Sequence, residues 1–322
     1  MSLARQVALV TGASRGIGRG IALQLAEAGA TVYITGRKPT QQQSADSSLP
    51  TLQKTADEAT DRGTTSGGKC IAVYCDHGDD DDVKQLFDQI DREQNGQLDI
   101  LVNNAFAAVT FIMETTGKKF WEMEPAKSWD TLNNVGLRNH YICSTYAARM
   151  MVPRKTGLIV TISSPGGLRY LFQVAYGVGK AAKDRLAVDM AHELKPHKVC
   201  SISLWPGPVK TELIQGAIDD ENTSGKAVLS QTFADSETVE FSGKCIVALA
   251  ADADRMRYSG SILNTGDLGS WYSLTDTDGS AVMSVRSLRR VLTVYGYKNL
   301  AAWTPQWLNV PGWVMVAATS KL

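Results

Sequence analysis

The sequence predicts an α/β fold in which a parallel sheet is covered by helices. Short apolar runs rich in β-branched residues recur along the chain, and segments whose apolar residues repeat at helical spacing lie between them. The first run, Val7–Val10, leads through a glycine-rich turn into such a helical segment, which ends at Gly29. A strand, a glycine turn and a helix in this order are typical of the start of a dinucleotide-binding domain.

The composition is that of a soluble globular chain. Its 322 residues, 43% of them hydrophobic, are enough to bury the core of one large domain or of two smaller ones. Lys plus Arg and Asp plus Glu number 33 each, and no basic block is present, so no nucleic-acid partner is expected. The N-terminus lacks a signal-peptide pattern, and no apolar run approaches the roughly 20 residues that span a bilayer.

The cysteines and the acidic run do not predict a metal site. The five cysteines are odd in number and scattered, so reduced thiols in an intracellular protein are expected, and no His/Cys spacing suggests zinc. Four consecutive acids, Asp79 to Asp82, stand where a helix is predicted to begin. The helix dipole explains them better than a metal ion does, and no metal is assigned.

The glycine turn has the spacing Gly-x-x-x-Gly-x-Gly. Glycines allow the backbone to approach a pyrophosphate, and a helix N-terminus offers free N–H groups with a partial positive charge. The alternative is a glycine-rich turn that binds nothing. The candidate cofactor contacts in this turn are Gly12, Ser14, Arg15, Gly16, Ile17 and Gly18.

The end of the second β-rich run indicates which dinucleotide the chain prefers. An NAD-binding site usually places a carboxylate there for the ribose hydroxyls, whereas a 2′-phosphate needs cations. Thr35 and Gly36 occupy that place, Arg37 follows, and Arg15 lies in the glycine turn. Two guanidinium groups able to meet one phosphate predict NADP(H) in preference to NAD(H). The alternative is that Arg37 is a solvated loop residue.

Two further predicted strands end in polar side chains. Asp76 follows the third strand, where its carboxylate could accept a hydrogen bond from the adenine amino group. Asn103 and Asn104 end the fourth strand, at the edge where open α/β sheets bind ligands, although asparagine also commonly caps turns. We expect Asp76 and Asn103 to contact the cofactor.

The stretch Tyr176-x-x-x-Lys180 sets a phenol and an ammonium group four residues apart in a predicted helix. At this spacing the two side chains share one helix face. A cation within a few ångströms favours the phenolate, which makes Tyr176 a candidate acid or base near neutral pH. Ser163 and Ser164 follow an apolar run just upstream and supply hydroxyl groups for the same site.

The order of these motifs resembles that of the short-chain dehydrogenase/reductase family, from about residue 6 to residue 267. The resemblance implies a three-layer Rossmann fold with a doubly wound parallel sheet of about seven strands. It also implies NAD(P)(H) as cofactor and a homo-oligomer. The motifs that carry it are Thr11-Gly12-x-x-x-Gly16-x-Gly18, Asp76, Asn103-Asn104-Ala105, Ser164, Tyr176-x-x-x-Lys180 and Pro206-Gly207.

The same resemblance implies roles for individual residues. Tyr176 would donate a proton to a substrate carbonyl, and Ser164 would polarise the substrate oxygen. Lys180 would hold the nicotinamide ribose and favour the phenolate of Tyr176. The residues that would border the nicotinamide are Pro206, Gly207 and Thr211.

The sequence departs from the family pattern around the predicted catalytic site. Gly136 stands where the family usually has an asparagine that holds a proton-relay water. Asn133 and Asn134 are close by, but in a single helix over about residues 128–151 they are expected to point elsewhere. Phe106 replaces a glycine and is expected to narrow the pocket.

The spacing of the catalytic serine also departs from the pattern. Ser164 precedes Tyr176 by twelve residues, one fewer than is usual in the family. Ser163 therefore stays an alternative to Ser164.

The prediction divides the chain into a catalytic domain, residues 1–267, and an extension, residues 268–322. The polar stretch 217–236 is expected to form a mobile substrate lid. The extension is expected to pack on the core or on a partner chain, with shallow peripheral membrane contact as the alternative. It is rich in tryptophan, with Trp271, Trp303, Trp307 and Trp313.

The terminal Ser320-Lys321-Leu322 predicts a peroxisomal location. The alternatives are the endoplasmic reticulum, which the resemblance implies, and the cytoplasm.

The predicted function is an NADPH-dependent carbonyl reductase that acts on ketones or aldehydes of small lipophilic substrates, such as steroids or xenobiotics. The cofactor would deliver hydride while Tyr176 supplies the proton. One alternative is an enoyl-CoA reductase of fatty-acyl metabolism, which the terminal tripeptide favours. The other is an NADP-binding scaffold with vestigial catalysis, which Gly136 favours.

Overall fold

Seven parallel strands form one sheet at the centre of the molecule. The computed structural model describes residues 1–39, 49–223, 233, 236–294, 296–305 and 307–319. The strands are β1 (Val7–Val10), β2 (Thr31–Gly36), β3 (Lys69–Tyr74), β4 (Ile100–Asn103), β5 (Gly157–Ile162), β6 (Val199–Trp205) and β7 (Ile262–Asn264). Their order is β3-β2-β1-β4-β5-β6-β7, so the chain reverses its direction of winding between β1 and β4. Ligands of such sheets bind at the carboxyl ends of the strands beside this switch point.

Helices connect and cover the strands. They are α1 (Gly16–Glu27), α2 (Leu52–Gly63), α3 (Asp80–Glu93), α4 (Val109–Glu114), α5 (Pro125–Asn133), α6 (Asn139–Arg154), α7 (Val174–Leu194), α8 (Glu212–Thr223), α9 (Phe241–Ala251), α10 (Thr265–Trp271), α11 (Leu288–Val294), α12 (Lys298–Trp303) and α13 (Gly312–Thr319). Short 3₁₀ turns lie at Thr64–Ser66, Phe120–Glu122, Pro165–Gly167, Lys195–His197 and Arg255–Tyr258.

The two faces of the sheet bury separate apolar clusters. Alternate residues of a strand point to opposite faces, so Val10 packs toward α1, α2 and α9, whereas Leu9 packs toward α3 and α6. Phe241 of α9 is buried in the first cluster and Phe87 of α3 in the second. Helices on both faces of an all-parallel sheet make three layers, which confirms the predicted fold class.

The acidic run begins a helix, as predicted. Asp79 precedes α3, and its side chain accepts hydrogen bonds from the backbone amides of Asp81 and Asp82. A carboxylate in this position satisfies amides that have no partner within the helix and complements the helix dipole. The run Asp79 to Asp82 therefore has a structural explanation.

One predicted helix is interrupted in the structure. The prediction of one continuous helix over about residues 128–151 is wrong, because α5 ends at Asn133 and α6 begins at Asn139. In between, Val135 has φ −102° and ψ 94°, and Gly136 has φ 148°, a value that favours glycine. The helical periodicity therefore does not continue from α5 into α6. The side chains that face the sheet edge differ from those that one continuous helix would place there.

The C-terminal extension is attached to the core by polar contacts. The guanidinium group of Arg286 lies 2.7 Å from the carboxylate of Asp267 in α10, and Thr238 donates its backbone amide to Asp276 at 2.7 Å. Gly266 is in tight contact with the extension, since a Cβ atom there would lie 2.4 Å from Cα of Ser284. The predicted boundary at residue 267 thus falls inside α10, and the division into two domains stays a prediction.

Beyond these contacts, the extension exposes aromatic side chains. The exposed fractions are 89% for Trp303, 77% for Trp307 and 75% for Trp313. Within the part of the chain that the structure describes, no helix has the length and apolar character needed to cross a bilayer. Ser320-Lys321-Leu322 and much of the predicted lid lie outside the described residues, so localisation and membrane contact stay predictions.

Candidate active site

The candidate active site lies at the carboxyl ends of β4, β5 and β6. Strand β5 leads into Ser164, whose hydroxyl accepts the backbone amide of Gly166 at 3.2 Å and so begins a short 3₁₀ turn. A Cβ atom at Gly166 would lie 2.6 Å from Cε1 of Tyr176, so glycine is needed for this turn to pass the phenol ring. Helix α7 then presents Tyr176 in its first turn.

The geometry favours Ser164 over Ser163 as the functional hydroxyl. Ser164 Oγ lies 2.9 Å from Tyr176 Oη, although the two residues are twelve apart in the chain. Ser163 is buried, and its hydroxyl donates to the backbone carbonyl of Lys180 at 3.2 Å. Ser163 thus ties β5 to α7, and Ser164 faces the phenol.

Lys180 approaches the same phenol from the next turn of α7. Its Nζ lies 5.4 Å from the centre of the Tyr176 ring and 5.2 Å from the centre of the Phe106 ring. Phe106 and Phe172 both meet the Tyr176 ring edge-on, at centroid distances of 6.2 and 5.2 Å. Tyr176 and Lys180 are both buried, so the interaction between them is screened by water less than it would be on the surface.

Phe106 and Gly136 depart from the family pattern in a complementary way. A Cβ atom at Gly136 would lie 2.6 Å from Cδ2 of Phe106, so the phenyl ring occupies the space that a side chain at position 136 would need. The expectation that Phe106 narrows the pocket agrees with this contact. An asparagine at position 136 and a phenylalanine at position 106 exclude each other in this backbone.

An amide nevertheless faces the site from α5. Asn133 is buried, its Nδ2 donates to the backbone carbonyl of Ala175 at 3.3 Å, and it lines the recess beside Tyr176 and Lys180. The expectation that Asn133 points elsewhere was wrong, because it assumed one continuous helix through Gly136. The glycine at position 179 was the sequence feature that could have indicated this contact. A Cβ atom there would lie 2.1 Å from Asn133 Oδ1, so only glycine leaves room for the amide.

A second buried lysine was not singled out from the sequence. Lys183 is only 2% exposed, and its Nζ lies 5.3 Å from the centre of the Phe106 ring, opposite the loop that follows β4. It donates a long hydrogen bond of 3.5 Å to the backbone carbonyl of Ile162. The sequence signal was a lysine three residues after Lys180, on the face of α7 that packs on the sheet.

The glycine turn is shaped to receive an anion. Gly12 and Gly16 have φ values of 66° and 61°, which favour glycine, and Arg15 provides no side-chain cap to α1. The amide of Gly16 donates to Glu212 Oε2 at 2.8 Å, so a carboxylate already occupies this helix N-terminus. The turn at Gly12 to Gly16 therefore fits the phosphates of a dinucleotide, because a phosphate can accept the backbone amide that Glu212 accepts here.

Asn104 braces this turn from the neighbouring strand. Its Nδ2 donates to the backbone carbonyls of Thr11 and Gly12 at 2.9 and 2.8 Å. The side chain of Asn103 is instead buried, and it donates to the hydroxyl of Ser144 at 2.8 Å. Of the two amides, Asn104 is therefore the one that shapes the binding turn, and cofactor contact by Asn103 stays a prediction.

The other candidate cofactor residues lie along the same edge. Arg15 is half-buried in the turn and Arg37 is exposed after β2, and neither forms an ion pair with any residue that the structure describes. Asp76 is exposed after β3, where its carboxylate accepts a hydrogen bond from the backbone amide of Gly78 at 2.9 Å.

Thr211 lies next to the glycine turn, since its Cγ2 would be 3.4 Å from a Cβ atom at Gly16. The remaining candidates, Ser14, Ile17 and Gly18 of the turn and Pro206 and Gly207 after β6, are placed on this edge as well.

The geometry thus brings the predicted residues into two groups. Ser164, Tyr176 and Lys180 form one group, and the glycine turn with Thr211 forms the other. Arg37 and Asp76 stand farther along the edge, at the ends of β2 and β3.

Comparisons with known proteins agree with this arrangement. A sequence model of the family described as short chain dehydrogenase matches residues 6–222. The human protein named "Dehydrogenase/reductase SDR family member 1" is 52% identical over 320 residues, covering 98% of this chain and 97% of the human one. "NADPH-dependent aldehyde reductase 2, chloroplastic" of Arabidopsis thaliana is 31% identical over 226 residues, covering 69% of this chain and 78% of that protein.

A solved structure shares the fold. The crystal structure of a short-chain type dehydrogenase/reductase from Mycobacterium marinum superposes with a TM-score of 0.63 at 29% identity, covering 82% of this chain and 94% of that chain. The expected family is therefore confirmed: this chain belongs to the short-chain dehydrogenase/reductase family of oxidoreductases.

Proposed function

We propose that the protein is an NADPH-dependent carbonyl reductase. The observation that carries the proposal is the 2.9 Å contact between Ser164 Oγ and Tyr176 Oη, with the Lys180 ammonium group beside the same ring. A hydroxyl and a phenol this close can both reach one substrate oxygen. NADP(H), when bound, supplies the hydride.

The protein's own residues manage the proton and the charge. Tyr176 donates its proton to the oxygen of the carbonyl group as that oxygen becomes negative, and the charge of Lys180 stabilises the phenolate that remains. Ser164 donates a hydrogen bond to the same oxygen and fixes its position. Phe106 and Phe172 contact the phenol ring edge-on and limit the positions that it can adopt.

The preference for NADP(H) rests on charge. Arg15 and Arg37 are free of carboxylate partners among the described residues, so their guanidinium groups are available to a 2′-phosphate. No acid stands at Thr35 or Gly36, where it would repel that phosphate. The name of the Arabidopsis relative, an NADPH-dependent aldehyde reductase, points to the same cofactor and the same substrate group.

The substrate is proposed to be lipophilic. The walls around Tyr176 are aromatic and aliphatic, with Phe106, Phe111, Leu171 and Leu132 packed in one apolar cluster beside it. Such walls favour apolar ketones and aldehydes, including steroids and xenobiotics, over charged ones.

The test is a panel of ketones and aldehydes, with NADPH oxidation as the signal and NADH in parallel. Tyr176→Phe should lower kcat by at least about a thousandfold while NADPH binding, followed by fluorescence, stays within about twofold. Ser164→Ala is the second variant and should also lower kcat strongly. Undiminished turnover by Tyr176→Phe would refute the assignment.

The same panel separates the alternatives. Enoyl-CoA substrates belong in it, and turnover of these alone would favour an enoyl-CoA reductase. NADPH binding without turnover of any substrate would favour a scaffold with vestigial catalysis, the reading that Gly136 supports.

A further inference from the structure

Two lysines of α7 approach one aromatic ring beneath the proposed catalytic tyrosine. Nζ of Lys180 lies 5.2 Å and Nζ of Lys183 lies 5.3 Å from the centre of the Phe106 ring. Both side chains line one narrow recess, which Tyr176 and Asn133 also line. A second amine thus shares this recess with the one that the proposed reaction uses.

Lys183 forms no salt bridge within the described part of the chain. It is 2% exposed. Asp184, the next residue, accepts instead from Ser203 Oγ at 2.6 Å and from Trp205 Nε1 at 3.0 Å. A buried ammonium group without a counter-ion is costly, so the neutral amine is the favoured form.

Most of the groups that face Lys183 favour its neutral form, and Asp184 is the exception. Burial first, and then the charge of Lys180 and a hydrogen bond with its side chain, lower the pKa of Lys183 well below its ordinary value, while Asp184 opposes this through its charge. His140 of α6 is also buried near this amine, and burial lowers the pKa of that imidazole as well. The loop after β4 contributes Phe106, which carries no charge.

A neutral amine can accept a hydrogen bond, which an ammonium group cannot do. Lys180 needs such an acceptor, because position 136 carries no side chain and Phe106 fills the space there. Three side chains that line the recess besides Lys180 have polar atoms that can accept, namely Tyr176, Asn133 and Lys183. Asn133 Oδ1 lies against Gly179, and Tyr176 Oη is paired with Ser164 Oγ at 2.9 Å, which leaves the amine of Lys183.

We propose that Lys183 is a positioning residue, whose neutral amine accepts a hydrogen bond from the Lys180 ammonium group and holds it beside Tyr176. The role in turnover rests on the proposed carbonyl reduction. At low pH, Lys183 takes up a proton, loses its acceptor capacity and repels Lys180, so activity falls on the acid side.

Two variants and one control test the proposal. Lys183→Met keeps a buried, unbranched side chain without an acceptor, and it should weaken NADPH binding and lower kcat by about tenfold each near pH 7. Lys183→Gln supplies an amide oxygen as acceptor and should recover both to within about threefold of the wild type. Lys195→Met removes an exposed lysine just after α7 and should change neither.

The pH profile separates positioning from packing. The acid limb of the wild-type kcat profile should be absent in Lys183→Gln, because the amide does not titrate. Equal damage in the Met and Gln variants would indicate a packing role and would overturn the proposal. Wild-type NADPH affinity and kcat in Lys183→Met would overturn it too.

The unliganded protein provides a readout that does not depend on turnover. The unfolded chain binds a proton at Lys183 at a pH where the folded chain does not, so wild-type stability falls as pH drops from about 10 toward neutrality. The melting temperature of Lys183→Met should therefore exceed that of the wild type by more at pH 7 than at pH 10. A difference independent of pH would mean that Lys183 is charged in the fold, which contradicts the proposal.

Failure of the proposed function gives a different pattern. In that case the wild type would bind NADPH and reduce no carbonyl substrate, while the ranking of NADPH affinity, with Met weakest and Gln near the wild type, would still support Lys183 as the residue that positions Lys180.

Discussion

The carboxylate of Glu212 accepts the backbone amide of Gly16 at 2.8 Å, which places a negative side chain at the N-terminus of α1. The proposed cofactor site includes this amide, so in that proposal the glutamate and the cofactor phosphates would compete for the same donor. Glu212 begins α8, the helix that leads into the predicted lid. The first residue of α8 is thereby held to the glycine turn by a contact that cofactor bound as proposed would replace.

Replacing Glu212 with glutamine should strengthen cofactor binding. The neutral amide keeps the size of the side chain but removes a negative charge that opposes the phosphates, so the Kd for NADPH should fall by about three- to tenfold. Fluorescence titration of NADPH at low ionic strength measures this. Glu193→Gln, an exposed substitution at the far end of α7, is the matched control, and equal affinities for both variants would contradict the prediction.

Substitution of Gly136 should destabilise the fold. Alanine would face both an unfavourable φ of 148° and the Phe106 ring 2.6 Å from its Cβ, at a combined cost of about 2–4 kcal/mol. Thermal or urea unfolding measures this cost. In the double variant Phe106→Ala, Gly136→Ala, the clash is absent, so the total destabilisation should be smaller than the sum of the two single effects by about 1 kcal/mol. Strict additivity would argue against the contact.

Arg37 should select the cofactor. Arg37→Ala should raise the Kd for NADPH by about tenfold and leave the Kd for NADH within about twofold, because only the first cofactor carries the 2′-phosphate. Lys38→Ala, at the next exposed position, is the control for a nonspecific loss of positive charge. Equal losses for both cofactors would indicate that Arg37 does not meet the phosphate.

Glu237 should make the stability depend on pH. Burial raises the pKa of Glu237 to about 7, although hydrogen bonds from Thr265, Gly207 and Ser242 oppose the shift. Because the folded pKa lies above the unfolded one, the stabilising effect of the protonated carboxyl is complete below the unfolded value, about 4.3, and is lost as pH rises through 7.

The measurement for Glu237 is unfolding by urea at two pH values. Between pH 5 and pH 8 the wild type should lose about 2 kcal/mol more stability than Glu237→Gln, which cannot ionise. A Glu193→Gln control should follow the wild type. If the glutamine variant shows the same pH dependence as the wild type, Glu237 is not the group responsible.

Much of the fold follows from local sequence patterns. The apolar runs and the glycine turn indicated the strands and α1, and Thr51 and Asp79 mark the beginnings of α2 and α3, because their side chains accept backbone amides there. The fold class, the number of strands and the family are confirmed. These features depend on residues close together in the chain or on motifs of fixed order.

The remainder depends on contacts between distant residues. The break at Gly136 lies against the ring of Phe106, thirty residues earlier, and no periodicity within residues 128–151 reveals it. The burial of Lys183 likewise depends on where Phe106 lies relative to α7. Sequence patterns identified Phe106 and Lys180 separately, but they did not reveal that the Phe106 ring lies against Gly136 and near the amines of both Lys180 and Lys183.

The link between Asp267 and Arg286 has a consequence for how the chain can be divided. Asp267 is 5% exposed, and its partner comes from the extension. A protein shortened to residues 1–267 would keep this acid and lose the guanidinium group that neutralises it, along with the chain that packs on Gly266. The extension thus stabilises helix α10, which follows the last strand, and a fragment that ends at residue 267 should express poorly whatever its catalytic residues can do.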